Sequence, residues 1–306
     1  MRAAFLGNAR WSVPSLQALA TSRHEVVAVI TRDPRPAGRG GRPRPTAVSE
    51  AARRLELRLV EAPTVKQGEG LDALRGAAPE VLAVVAYGEI LPAEVLALPT
   101  VAPVNVHFSL LPILRGAEPV RRAILQGFDT TGVTTIRMDE GMDTGPILLQ
   151  AEEPIRPEDD AGSLGERLAS LGGRLLVETL DGLAAGMLQE RPQDHGAATV
   201  APKLKPEEEW IDWSEPAEAV VQRVRALAPE PGARTRFRDR VVKVLRATAV
   251  AGRSGPPGTV AEPDRPLVAA GSGAVALDLV VPEGRKPMDG TAFARGRRPE
   301  PGERFG

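Results

Sequence analysis

The sequence predicts an α/β protein in two parts, a Rossmann-like parallel sheet followed by a small β-barrel. Three observations carry that expectation. Apolar strand-like runs alternate with helical ones through the first half of the chain. The two most chemically suggestive polar clusters stand just beyond strand ends, where open α/β sheets bind ligands. Past residue 206 the texture changes to short β-prone runs separated by Gly and Pro clusters. At 306 residues with 42% hydrophobic content, the chain is natural for two cores. The expected division is 1–188, a linker over 189–206, and 207–306.

Residues 3–7 (AAFLG) read as a short buried strand and 24–31 as a second, with an apolar helical stretch over 13–20 between them. That is a βαβ beginning. A helix follows over 47–54, a strand near 57–60, a helix around 71–76 and the uniformly apolar run 81–86. A strand apolar on both faces belongs in a parallel sheet covered on both sides. Residues 103–107 and 132–138 read as further strands, 119–126 as a helix, and 163–188 as the helical stretch closing the first part. The polar, Pro-containing stretch after it reads as a linker. Beyond it come a helix over 218–227 and strands over 241–250, 266–269 and 274–281.

The first turn, Gly7-Asn8-Ala9-Arg10, lacks G-x-G-x-x-G spacing and gives no support for a dinucleotide. Zero cysteines exclude disulfides, thiolate catalysis and a Cys-based zinc site. With only His24, His107 and His195 available, no metal is expected. No apolar run reaches the roughly 18 residues of a membrane span, and the start breaks into polar residues too early for a secretory signal. A cytoplasmic protein without a membrane partner is expected.

The net charge of −1 hides an asymmetry: residues 219–306 carry 16 basic and 9 acidic residues, net +7, leaving −8 for the rest. A basic end suits phosphate, although a solvated surface in a chain with 34 Arg and 5 Lys reads the same way. The segment 31–46 holds five arginines, Arg32, Arg35, Arg39, Arg42 and Arg44, against the single Asp33. Its Pro and Gly content predicts no regular structure, only a mobile basic loop that orders on a phosphate backbone. A tolerated surface insertion is the bland alternative.

Asn105 and His107, at i and i+2 on a strand, point to one face. The Asn105 amide can donate to a carbonyl oxygen as it becomes an oxyanion. His107 can move protons, and Asp143, arriving from a neighbouring strand, can orient the imidazole, fix its tautomer and stabilise its charged form. Those groups suit acyl transfer. A partly buried, hydrogen-bonded strand histidine beside an ordinary Asp143-Thr144-Gly145 turn gives the same pattern. No G-x-S-x-G elbow occurs, which argues against covalent catalysis. Ser109 either positions a ligand or caps a turn, with Leu110-Leu111-Pro112 as an apolar wall. Tyr87, Gly88 and Ile90, within Tyr87-Gly88-Glu89-Ile90-Leu91-Pro92, form a second candidate wall for a flat ring, or a plain strand-to-helix loop.

Taken together, these blocks resemble the methionyl-tRNA formyltransferase family. The match is carried by Pro36-Ala37-Gly38-Arg39-Gly40, Ala86-Tyr87-Gly88-Glu89-Ile90-Leu91-Pro92, Asn105-Val106-His107, Ser109-Leu110-Leu111-Pro112, Arg115-Gly116, Thr131-Gly132-Val133-Thr134 and Met138-Asp139-Glu140-Gly141-Met142-Asp143-Thr144-Gly145. In the second part it is carried by Ala201-Pro202-Lys203-Leu204-Lys205, Ile211-Asp212-Trp213-Ser214, Val242-Lys243-Val244 and Pro282-Glu283-Gly284-Arg285-Lys286-Pro287-Met288. The Asn-x-His and Asp-x-Gly pattern alone marks only the wider folate-dependent group; the second domain and the basic loop narrow it.

The resemblance implies a Rossmann-like formyltransferase domain and an OB-like barrel that binds tRNA. It implies formyl transfer from 10-formyltetrahydrofolate to the α-amino group of methionyl initiator tRNA, for translation initiation. Under it Asn105 binds the formyl oxygen, His107 handles protons and Asp143 supports it. Ser109, Leu110, Leu111 and Pro112 contact folate, and Arg35, Arg39, Arg42 and Arg44 engage the tRNA acceptor end. A monomer is expected. Asn8 and Ala9 stand where the family usually has a different turn, Phe108 where a small residue or proline is common, and no tryptophan lies between Pro229 and Pro231. An amino-sugar formyltransferase is the sibling alternative, and a tRNA-binding protein without catalysis a third.

Overall fold

Strands that are apolar on both faces need helices on both faces, and the first half of the chain supplies them by alternation. The computed structural model describes residues 1–37, 41–252 and 255–306, with backbone alone at 36, 37 and 42. In chain order the strands are β1 (Arg2–Gly7), β2 (Glu25–Thr31), β3 (Arg35–Ala37), β4 (Arg42–Arg44), β5 (Leu59–Glu61), β6 (Val81–Val85), β7 (Ala102–His107), β8 (Thr130–Arg137) and β9 (Ile147–Pro154). There follow β10 (Ala233–Phe237), β11 (Arg240–Val250), β12 (Val260–Glu262), β13 (Leu267–Ala269), β14 (Ala274–Pro282) and β15 (Met288–Asp289). The helices are α1 (Val13–Ala20), α2 (Ala47–Arg54), α3 (Gly68–Ala77), α4 (Ala93–Leu96), α5 (Pro119–Leu125), α6 (Ala161–Ala184), α7 (Ala217–Leu227) and α8 (Gly290–Arg297).

The chain forms two compact units. One comprises Met1–Pro119, Thr130–Pro154 and Gly165–Ala201; the other comprises Val120–Asp129, Ile155–Leu164 and Pro202–Gly306.

In the first unit the sheet runs β5-β2-β1-β6-β7-β8-β9. The five strands from β5 to β7 are parallel, as the apolar runs predict. β8 and β9 add antiparallel at one side. Strand β9 had no clear pattern because it is an edge strand, buried at Ile147 and Leu148 and increasingly exposed beyond. The chain winds outward from β1 in both directions, so the carboxyl ends of β1 and β6 form the crevice where such sheets bind ligands. Leu6, Ile30, Leu74, Leu82 and Leu91 share one core cluster.

Alternation along β7 separates packing from chemistry. Val106 and Phe108 turn toward α6, where a Cβ on Gly172 would lie 2.9 Å from Val106 Cγ1 and 3.2 Å from Phe108 Cε1. Glycine lets helix and strand approach that closely. Phe108 also meets the edge of Trp11, with centroids 6.3 Å apart. Asn105 and His107 take the other face.

The segment 31–46 corrects one expectation. Instead of lacking regular structure, it forms a two-stranded antiparallel ribbon, with Arg35 opposite Arg44, Pro36 opposite Pro43 and Ala37 opposite Arg42. The two prolines face each other, and such a ladder leaves alternate pairs without hydrogen bonds, so neither missing N–H is needed. Gly38, Arg39 and Gly40 lie outside the described residues.

The second unit carries a six-stranded sheet, ordered β10-β11-β14-β13-β12 with β15 on β14, whose pairs are antiparallel. Its core gathers Trp213, Val220, Val224, Phe237, Val244, Leu277, Phe293 and Phe305. The final residues link the two edges. Arg236 N–H donates to the Gly306 carbonyl at 2.8 Å, and Phe305 N–H to that of Gly258 at 2.7 Å. Phe237 and Thr259 bridge to Phe305 and Arg304. The tail thus closes the barrel that local pattern only suggested.

Candidate active site

His107 ends β7, and its register partner Thr134 on β8 organises the turn that follows. Thr134 Oγ1 donates to the Ser109 carbonyl at 2.7 Å and accepts from Leu111 N–H at 3.1 Å. The turn brings the Leu114 carbonyl to 2.9 Å from His107 Nε2. A carbonyl only accepts, so Nε2 carries the hydrogen and Nδ1 is the free basic nitrogen. Nδ1 stands 3.6 Å from Asp143 Oδ2, beyond a hydrogen bond but within reach of an ion pair once the ring is charged. The tautomer assigned to Asp143 by the sequence reading is therefore set by Leu114.

Asp143 lies in the loop between β8 and β9. Its Oδ1 accepts from Asn105 Nδ2 at 3.2 Å and its Oδ2 from Gly116 N–H at 2.9 Å. Asn105 keeps a second N–H that has no acceptor among the described residues. Gly116 has φ +118 and approaches the Ala201 carbonyl so closely that a Cβ would lie 2.9 Å from it, which requires glycine here. Asn105, His107 and Asp143 are thus brought together.

A cleft opens beside Asn105 and Asp143. Asn105, Asp143, Glu89 and Asp139 are the polar side chains of its wall, and Ile90, Leu91, Ile136, Met138 and Met142 the apolar ones. Ile90 is 66% exposed and Met142 53%, so large apolar side chains are left bare at the cleft. An apolar slot with a few convergent polar groups suits a flat ring carrying a reactive carbonyl. The residues present therefore fit a folate.

Other candidates sit elsewhere. The Tyr87 side chain is buried in the core, where desolvation first and Glu89 second push its phenol up, so it is not a cleft wall. Its carbonyl accepts from Asn8 Nδ2, and the Gly88 carbonyl from Arg32 Nη2 at 3.1 Å. Ser109 is buried and donates to the Ile113 carbonyl at 2.5 Å, the turn-capping role. Leu111 packs on Ile136 and Ile147, Leu110 lies against Gly132, and the Pro112 carbonyl accepts from Thr199 N–H at 3.3 Å. Arg35 and Arg44 are exposed and directly opposed, with no ion pair for either among the described residues. The Arg42 side chain and all of Arg39 are outside the described residues.

Local pattern missed one residue that touches this site: Gln193 donates to the Asp143 and Gly145 carbonyls and has no motif around it. Asn8 stands apart at the root of the ribbon, where its Oδ1 accepts from the Thr31 hydroxyl and Arg32 N–H. Among the described residues no group of three or more His, Cys, Asp or Glu could hold a metal. No described helix is long and apolar enough to cross a membrane.

Residues 1–180 match the family model described as formyl transferase, and 203–298 that described as formyl transferase, C-terminal domain. The methionyl-tRNA formyltransferase of Solibacter usitatus is 43% identical over 100% of this chain and 99% of its own length. That of Thermus thermophilus is 44% identical over 100% of this chain and 99% of its own. Among solved structures, HypX from Aquifex aeolicus in complex with tetrahydrofolic acid shares the fold at TM-score 0.67 and 19% identity, over 97% of this chain and 47% of that one. An N-formyltransferase from Helicobacter canadensis, solved with folinic acid and dTDP-3-aminofucose, gives TM-score 0.68 at 17% identity, over 90% and 98%. With both halves matched and the identity running end to end, this chain belongs to the methionyl-tRNA formyltransferase family.

Proposed function

We propose that the chain transfers the formyl group of 10-formyltetrahydrofolate to the α-amino group of methionyl initiator tRNA, giving N-formylmethionyl-tRNA. The observation that carries this reading is the convergence of Asn105, His107 and Asp143 beside an apolar cleft, in a chain similar to methionyl-tRNA formyltransferases along its whole length.

Bound folate supplies the formyl group on N10 and the nitrogen that leaves. Asn105 donates its second N–H to the formyl oxygen as that oxygen gains charge, a contact worth about a hundred- to a thousandfold in rate. His107 takes the proton lost by the attacking amine at Nδ1, directly or through water, and returns it to the departing nitrogen, so no net proton is consumed. Asp143 stabilises the charged imidazole between those steps and orients Asn105. Ile90 and Met142 exclude water from the ring. Tyr87, Gly88 and Ser109 to Pro112 serve folate through backbone groups and turn shape rather than through the side chains of Tyr87, Ser109 and Leu111.

For the acceptor, Arg35, Arg39, Arg42 and Arg44 contact the tRNA acceptor end. Like charges placed directly opposite destabilise a ladder, so Arg35 against Arg44 makes sense where phosphate neutralises both. Residues 1–188 catalyse, 189–206 connect, and 207–306 hold tRNA. The protein works as a cytoplasmic monomer without a metal.

Formyl transfer from 10-formyltetrahydrofolate tests the reading, with initiator and elongator Met-tRNA and dTDP-3-aminofucose as parallel acceptors. Initiator-selective formylation is expected. Transfer to the sugar alone would move the chain to a different substrate, and no transfer would remove the catalytic role.

A further inference from the structure

We infer that Gln193 is a positioning residue for Asp143, making the stretch between the two family-matched segments part of the active site. The inference rests on the acyl-transfer reading above. Residues 181–202 fall outside both matched segments, and nothing in their sequence pattern suggests chemistry. Yet Gln193 is only 6% exposed and uses both ends of its amide. Its Oε1 accepts from Arg115 Nε at 3.0 Å and from Nη2 at 2.6 Å. Its Nε2 donates to the Asp143 carbonyl at 2.8 Å and to the Gly145 carbonyl at 2.7 Å. A guanidinium only donates and carbonyls only accept, so the amide has a single orientation.

Asp143 needs that hold. Its φ of +55 lies in the left-handed region, which an aspartate tolerates better than most residues but which still costs an L side chain relative to extended backbone, so hydrogen bonds to its carbonyl help to hold it there. Two bonds from Gln193 fix the backbone, while Asn105 and Gly116 fix the carboxylate. Without the first pair, the backbone relaxes and swings the carboxylate away from His107 and Asn105. The same stretch supports the histidine. Leu114 N–H donates to Thr199 Oγ1 at 2.9 Å, and the Arg115 backbone bonds Thr199 and Ala201 at 2.9 and 2.7 Å. One strap after α6 therefore secures the loops carrying Leu114 and Asp143.

The test is a double-mutant cycle on the full chain with steady-state formylation of initiator Met-tRNA. Gln193→Ala should lower kcat by about tenfold to a hundredfold, with KM for folate and tRNA within about threefold, because geometry rather than binding is lost. In an Asp143→Asn background, Gln193→Ala should cost less than about twofold more, since the group it positions is already disabled. Gln193→Glu keeps the shape and the Arg115 contact but turns acceptors toward two carbonyls. It should match the alanine variant, and it carries the test if Gln193→Ala fails to fold. An unchanged kcat in both variants, or the same fold-loss in both backgrounds, overturns the inference. Full activity of Asp143→Asn alone would instead overturn the role given to Asp143, and this inference with it.

Discussion

The Leu114 carbonyl lies 2.9 Å from His107 Nε2, and that single contact decides which imidazole nitrogen can work. With the hydrogen held on Nε2, the lone pair on Nδ1 faces Asp143. Leu114 reaches this position with φ +61, a left-handed conformation that is stable because its N–H is held by Thr199.

His107→Ala should therefore lower kcat for formylation by at least about a hundredfold, with tRNA affinity nearly intact. Single-turnover transfer and equilibrium tRNA binding check the two halves. A variant with full activity would remove the proton handler.

The ribbon prediction concerns salt. Replacing Arg35 and Arg44 together with Ala should raise KM for Met-tRNA and reduce the slope of log affinity against log salt by about 1.5, the value for two phosphate contacts. Folate binding should not change. An unaltered slope would show that these cations do not meet phosphate.

Closure of the barrel rests on an aromatic cluster. Phe305 stacks on Phe237 with centroids 4.7 Å apart and lies 6.2 Å from Trp213. Phe305→Ala should cost about 3–5 kcal/mol, the usual loss for a buried phenylalanine. Urea unfolding of the intact chain measures it, and a loss under about 1 kcal/mol would mean the tail does not close the sheet.

Acid should weaken one bond in the second unit. The Arg122 guanidinium, donating to Glu208 at 2.6 and 3.0 Å, holds that carboxyl down to about 2. The unfolded chain titrates the same group near 4.3, so between those values it binds more protons than the native state. The contribution is complete above about 4.3 and is lost as pH falls toward 2. The advantage of wild type over Glu208→Gln in urea midpoint should be present at pH 6 and shrink across that window. A constant difference would contradict the linkage.

The hairpin of segment 31–46 shows where local reading stops. Its prolines and glycines argue against any regular structure, and the paired arms overturn that, because pairing Pro36 with Pro43 depends on register between the two arms rather than on local propensity. Tyr87 shows the same limit. A tyrosine after an apolar strand can wall a cleft or fill a core, and only the packing around Leu6 and Leu91 selects the core.

Local pattern sufficed for the strand and helix alternation, the shared face of Asn105 and His107, the opposite face of Phe108 and the basic character of the second half. Each follows from a period of two or 3.6 residues or from counting charges, properties carried by neighbours in the chain. The imidazole tautomer, the closure of the barrel by Phe305 and the hold on Asp143 were decided by the folded chain. Those features join groups far apart in sequence, Gln193 lying 50 residues from Asp143. A buried amide has no periodicity to betray it; its meaning lies in the carbonyls and guanidinium that the fold brings within 3 Å of it.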